Sequence, residues 1–212
     1  MGTGTVAADF DPGFDIAARQ AHVVGDGPRI RPVAQDDIDA ASRELVHAVR
    51  DGAGAPRVEG VAEYMRTIFK HPALFRCQME RGAVLFNGRI PACERELAVL
   101  RVAWLCRAPY EWGQHVEIAR RVGLDGAAVE RVREGSAASG WTAHEAAILR
   151  GVEELLEDKA LSDATWDVLA RSWDEAQLIE FPVMVGEYIA TALVQNTLRI
   201  RLVDGNPGLT RI

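Results

Sequence analysis

From about Gln35 onward, apolar residues recur every three to four positions, the spacing that turns one face of a helix toward a core. Ile38, Ala41, Leu45 and Val49 form the first such stripe. Asp36 or Asp37 is its expected cap, and the Gly-Ala-Gly-Ala-Pro run at 52–56 ends it. A second helix is expected over 58–70. Pro72 opens a third, because its missing N–H would be unpaired in a first turn anyway; Leu74, Met79, Ala83 and Phe86 carry that helix toward Gly88. A fourth runs from Ala92 or Cys93 to about Arg107. Its wide apolar face of Leu97, Leu100, Val102, Ala103 and Trp104 is that of a centrally packed helix. Ala108-Pro109 marks a turn, and a fifth helix from Tyr110 to Val122 stops at Gly123.

Beyond it, Asp125 and Ser162 read as caps of short helices, and Thr142-x-x-Glu145 as a capping box before Ile148 and Val152. Ser172-x-x-Glu175 reads as a second box opening the longest helix, which reaches about Arg201 and carries Pro182 as a potential kink. No segment shows the alternation of a half-buried strand or a hairpin turn between two such segments. The expected class is all-α, one helical domain over 35–212 with connections short enough for antiparallel neighbours. Residues 1–34, rich in Gly, Asp and Pro, read as an irregular arm, mobile or wrapped over the body.

Composition narrows the partners. A net charge of −7 argues against a nucleic-acid footprint, which needs a clustered basic surface. The three cysteines, Cys77, Cys93 and Cys106, contain no C-x-x-C, so buried free thiols in a reducing compartment are expected. No basic stretch followed by an apolar run marks a secretory signal, and Val6 stands where a myristoylation signal needs Ser or Thr. No segment reads as the ~20 apolar residues that span a bilayer. The expected location is the cytoplasm, with no membrane partner.

The chemistry-bearing stretch is Glu94-Arg95-Glu96-Leu97 through Tyr110-Glu111-Trp112-Gly113-Gln114-His115. Glu111 and His115 stand four apart, on one helical face, where a carboxylate can orient an imidazole. Glu96 can approach across the turn, giving a set able to move a proton to or from carbon. Arg95 and Arg101 are candidates for holding a substrate carboxylate, or for pairing with Glu94 and Glu96. Tyr110, Trp112 and Trp104 surround the set, as packing or as substrate contacts. His22, His47 and His71 lack ligand-like neighbours, and His144-Glu145 does not continue into H-E-x-x-H, so no metal is expected.

The run from Glu94 to Ala103 followed by Tyr110-Glu111-Trp112-Gly113-Gln114-His115 resembles the carboxymuconolactone decarboxylase and alkylhydroperoxidase D-like superfamily. The resemblance covers roughly residues 58–203, with 162–166 and 174–180 similar to its longer members. It implies an alkylhydroperoxidase D-like helical bundle and a homo-oligomer. The peroxidase branch carries C-x-x-C-x-x-x-H with a Glu upstream. Counting back from His115 puts those cysteines at Ala108 and Glu111 and the upstream carboxylate at Glu96, so the His and Glu are present and both thiols missing. The decarboxylase branch needs neither the pair nor a cofactor. The leading expectation is therefore a cofactor-free lyase or related proton-transfer enzyme on a small oxo-acid or lactone, with His115 as acid/base and Glu111 and Glu96 as orienting or proton-sharing groups. The alternatives are an alkylhydroperoxidase-like antioxidant protein and a non-catalytic oligomer on the same scaffold.

Overall fold

The structure, a computed structural model, describes residues 13–202 and 205–210; Val6 and the extreme N-terminus lie outside them. Among the described residues there is no strand. The helices are α1 Ile16–Val24, α2 Ala40–Gly52, α3 Glu63–Ile68, α4 Pro72–Phe86, α5 Ala92–Leu105, α6 Pro109–Arg121, α7 Gly126–Glu134, α8 Ala143–Glu157, α9 Asp163–Leu169 and α10 Glu175–Leu198. Short 3-10 turns occupy 35–37 and 208–210. The class is all-α, as the pattern of apolar positions requires.

α5 is the axis of the molecule. Every residue from Arg95 to Trp104 is buried, which a helix achieves only when neighbours cover it on all sides. Those neighbours are α6, α7, α8 and α10. Leu97, Leu100, Trp112, Ile148, Leu149, Phe181 and Met184 fill the space between them. A second cluster, of Ile38, Val46, Val49, Val61, Phe75 and Met79, joins α2 to α4 and the chain around α3.

Local signals set most boundaries. Asp125, Thr142 and Ser162 accept from the backbone N–H three residues on, and Glu145 returns the bond to complete its capping box. Four boundaries differ from the sequence expectation. Asp39, not Asp36 or Asp37, caps α2; the earlier pair lies in the 3-10 turn. The helix expected over 58–70 shortens to α3. The box that opens α10 is Asp174 with Gln177, two residues further along than Ser172 and Glu175. α10 stops at Leu198 because Arg199 takes a left-handed conformation. Pro182 sits inside α10, where it removes the bond to the Leu178 carbonyl while the helix continues.

The N-terminal arm is not wholly irregular. Asp15 caps α1, and Phe14, Ile16 and Val23 pack inward. α1 lies against α10 and the 208–210 turn, where Leu209 N–H donates to Gln20 at 2.8 Å. A nine-residue helix is marginal alone, so these contacts stabilise it and composition gives no hint of it. α10, against expectation, is long and apolar enough by length and composition to cross a membrane. Its Leu178, Phe181, Met184, Val185, Tyr188 and Ala192 are core residues, and Glu180 and Glu187 interrupt its length.

Leu100 is fully buried at the centre of α5. Leu100→Ala is expected to cost ~2–5 kcal/mol of unfolding free energy in urea titration. A loss below about 1 kcal/mol would show that α5 is not the packing axis.

Candidate active site

The α5–α6 hairpin makes the site. Pro109 starts α6 after a single turn, so the two helices run back along each other and Glu96 comes level with His115. His115 Nδ1 lies 2.7 Å from Glu96 Oε2. Arg95 Nε donates to the other oxygen, Oε1, at 2.9 Å. Glu96 is fully buried, and an ionised carboxylate is tolerable there only because both oxygens are engaged by donors. Glu96 therefore accepts from Nδ1–H, which leaves the lone pair of His115 on Nε2.

Aromatic rings clamp the imidazole. Phe86 lies parallel to it, with centroids 6.3 Å apart, and Tyr188 meets it edge-on at 5.0 Å. Arg95 is held from behind by the Phe86 carbonyl and stacks over the Phe86 ring. The chain Arg95–Glu96–His115 thus ends at one face of a cavity of about 310 Å³. His115, Gln114, Tyr110, Tyr64, Tyr188 and Gln195 supply its polar wall; Met79, Leu85 and Phe86 supply apolar area.

Burial keeps the phenols protonated. It pushes Tyr110 up to about 12 and holds Tyr64 and Tyr188 well above the ordinary phenol range. They stand as hydrogen-bond donors at neutral pH. Arg50 and Arg121 reach the same cavity. Burial first, and Arg121 as a like charge, lower the Arg50 pKa, and Arg50 Nε is buried without a partner.

The residues expected from the sequence fall into three groups. His115, Glu96 and Arg95 form one chain, with Arg95 behind the carboxylate rather than facing a substrate. Tyr110 lines the cavity. Glu111, Trp112 and Arg101 do not. Trp112 is core, packed on Trp104 at 5.1 Å. Arg101 pairs with Glu153 and caps α7 through the carbonyls of Val132 and Arg133, so its guanidinium is engaged away from this cavity. Glu111 makes no bond to His115: it is fully buried with both oxygens unpartnered. Missed by sequence reasoning were Tyr64, Tyr188, Gln114, Gln195, Arg50 and Arg121, contributed by four separate helices. Gln114, next to His115, had a sequence signal; the others had none.

Residues 72–154 match the profile of the carboxymuconolactone decarboxylase family. The apo debrominase Bmp8 superposes with a TM-score of 0.70 at 15% identity, over 84% of this chain and 94% of that one. A cysteine-to-alanine variant of Bmp8 in complex with 2,3,4-tribromopyrrole gives 0.69 at 17%, over 86% and 95%. An alkylhydroperoxidase AhpD core, an uncharacterized peroxidase-related protein from Ralstonia eutropha, gives 0.70 at 16%, over 84% and 93%. No curated protein matches the sequence. The fold is alkylhydroperoxidase D-like, and within it residues 72–154 are similar to the carboxymuconolactone decarboxylase family.

Burial holds Glu111 well above the usual carboxylate range. The folded chain therefore keeps a proton that the unfolded chain releases above the ordinary glutamate value of ~4.3. Stability falls as pH rises from there toward the folded pKa, by at most ~1.4 kcal/mol per pH unit. Glu111→Gln is expected to remove that decline, so the stability difference, variant minus wild type, grows with pH in urea titrations. A difference that stays flat between about pH 5 and 7 would show that Glu111 is not held protonated.

Proposed function

We propose that this protein is a cytoplasmic, cofactor-free proton-transfer enzyme, lyase-like, acting on a small oxo-acid or lactone in the His115 cavity. The observation that carries the reading is the buried Arg95–Glu96–His115 chain, whose free end faces that cavity. His115 Nε2 takes a proton from the substrate or returns one to carbon. Glu96 stabilises the imidazolium that forms, and Arg95 keeps Glu96 ionised. Tyr188 and Tyr64, held protonated, suit a developing enolate oxygen. Arg50 and Arg121 suit the substrate carboxylate, taking the part expected of Arg95 and Arg101. No step needs a metal or cofactor.

A thiol mechanism has little support in this cavity, since no cysteine lines it. Cys106 belongs to a different cleft, and burial pushes its thiol up to about 12, where thiolate is scarce at neutral pH. A homo-oligomer is the proposed working unit, supported by Ile179, Val183 and Leu193 lying exposed along α10. Light scattering that gave only the 23.2 kDa monomer mass would remove that part of the reading.

The catalytic test is a panel of small oxo-acids and lactones incubated with enzyme in deuterated buffer and followed by proton NMR for decarboxylation and carbon-bound exchange. The substrate that turns over is then given to folded variants. His115→Gln is expected to lose ~10²–10⁴ in rate, and Glu96→Gln to lose rate and shift the pH profile, because the wrong tautomer becomes accessible. Cys106→Ser is expected to match wild type. Unchanged rates in both site variants would sink the proposal; activity that vanished with Cys106 would move the chemistry to the thiol.

A further inference from the structure

On the far side of the α5–α6 turn lies a second cleft, of about 370 Å³, between α1 and the end of α10. Its walls are Arg19, His22, Arg29 and Arg199 together with Val23, Cys106, Leu193, Asn196 and Thr197. Among the described residues no carboxylate lines it. In a chain of net charge −7, three guanidinium groups here share one space, and among the described residues none pairs with an acidic side chain. Most other arginines in salt bridges answer nearby carboxylates; these do not.

The backbone is shaped to seat them. Arg199 sits at φ 56, ψ 53, the left-handed region where a helix end ordinarily places glycine. Gly25, at φ +54, clears room for its head: a Cβ there would stand 2.7 Å from Arg199 Cζ. Arg107, whose carbonyl accepts from Arg19 Nε at 3.1 Å, is also at positive φ, 49°. Two of the three non-glycine residues with positive φ among the described residues thus serve this cleft. Local strain kept in place points to a use for the group it positions.

Arg29 is braced as well, through Nη1 to the Thr197 carbonyl at 3.1 Å. Capping of the α10 and α5 ends therefore accounts for one N–H of Arg19 and one of Arg29. It accounts for none of Arg199, whose side chain makes no hydrogen bond among the described residues, and the remaining donors stay available. Burial, and then the like charge of Arg107, lower the Arg19 pKa, as expected of cations crowded without a counterion.

We propose that this cleft binds a phosphoryl group, either free phosphate or the phosphate of a small phosphomonoester. A carboxylate offers two oxygens in a plane and is satisfied by a single guanidinium fork. Three forks and an imidazole around one space suit a tetrahedral dianion, whose oxygens can each meet a different donor. This site does not depend on the proton-transfer reading of the His115 cavity.

Calorimetric titration of the full-length protein with inorganic phosphate, against chloride at matched ionic strength, tests the proposal. The expected result is saturable binding that weakens about tenfold or more in Arg199→Gly and in Arg29→Gln. Arg199→Gly is chosen because glycine suits the left-handed backbone, so this variant is expected to melt at or above the wild-type temperature without ligand. A parallel titration with glycerol 3-phosphate separates a phosphomonoester ligand from free phosphate by which binds tighter. No binding of either, binding that both variants retain, or equally tight binding of succinate would each overturn the assignment.

Discussion

A carboxylate with no access to water sits at the crossing of the two central helices. Burying an isolated charge costs several kcal/mol even after relaxation, and the cost is offset here only by donors on both oxygens of Glu96. One donor, Arg95, is its neighbour in sequence; the other, His115, is 19 positions away. That requirement fixes how α6 lies against α5, and so it fixes the wall of the cavity. The Phe86 and Tyr188 rings then have one place to pack, on either side of the imidazole. Removing either donor would strand a buried charge, so the hairpin's geometry and the site's chemistry rest on the same two bonds.

The hairpin was legible because its signals are local. Ala108-Pro109 breaks one helical stripe and begins another. The pairing of Glu111 with His115 was inferred from their four-residue spacing and is absent. Spacing gives neighbours on a face, and it cannot say which of two neighbours the imidazole prefers. The imidazole meets Glu96, whose other oxygen accepts from Arg95, and Glu111 is buried without a partner, held by burial well above the usual carboxylate range. The two arginines tell a related story. Arg95 and Arg101 are six residues apart, about 240° around a helix, so they could not both face one ligand. That arithmetic was available in the sequence.

Other parts were not legible in principle. Tyr64 and Tyr188 reach the cavity from segments on either side of the hairpin, and no spacing within either segment marks them. α1 is a short helix whose order comes from the 208–210 turn and α10. Gly113 shows how far such long-range packing constrains the site helix: a Cβ there would collide with Asn206, whose amide donates to the Tyr110 carbonyl at 3.0 Å. The C-terminal segment is thereby clamped on α6 between Tyr110 and His115, beside the residues of the cavity wall.

The missing cysteines sharpen the chemical argument. Ala108 and Glu111 occupy the positions where the C-x-x-C-x-x-x-H pattern, counted back from His115, would place its thiol pair, and both are fully or almost fully buried. A methyl group and a carboxyl group cannot form the disulfide that a thiol pair forms at those positions. The hairpin then holds two carboxyl groups in unlike surroundings. Glu96 is bonded through both oxygens, to Arg95 and His115; Glu111 has no partner, and burial holds it well above the usual carboxylate range. Glu111 does not line the cavity, and held neutral by burial it adds no second negative charge to the hairpin that carries Glu96.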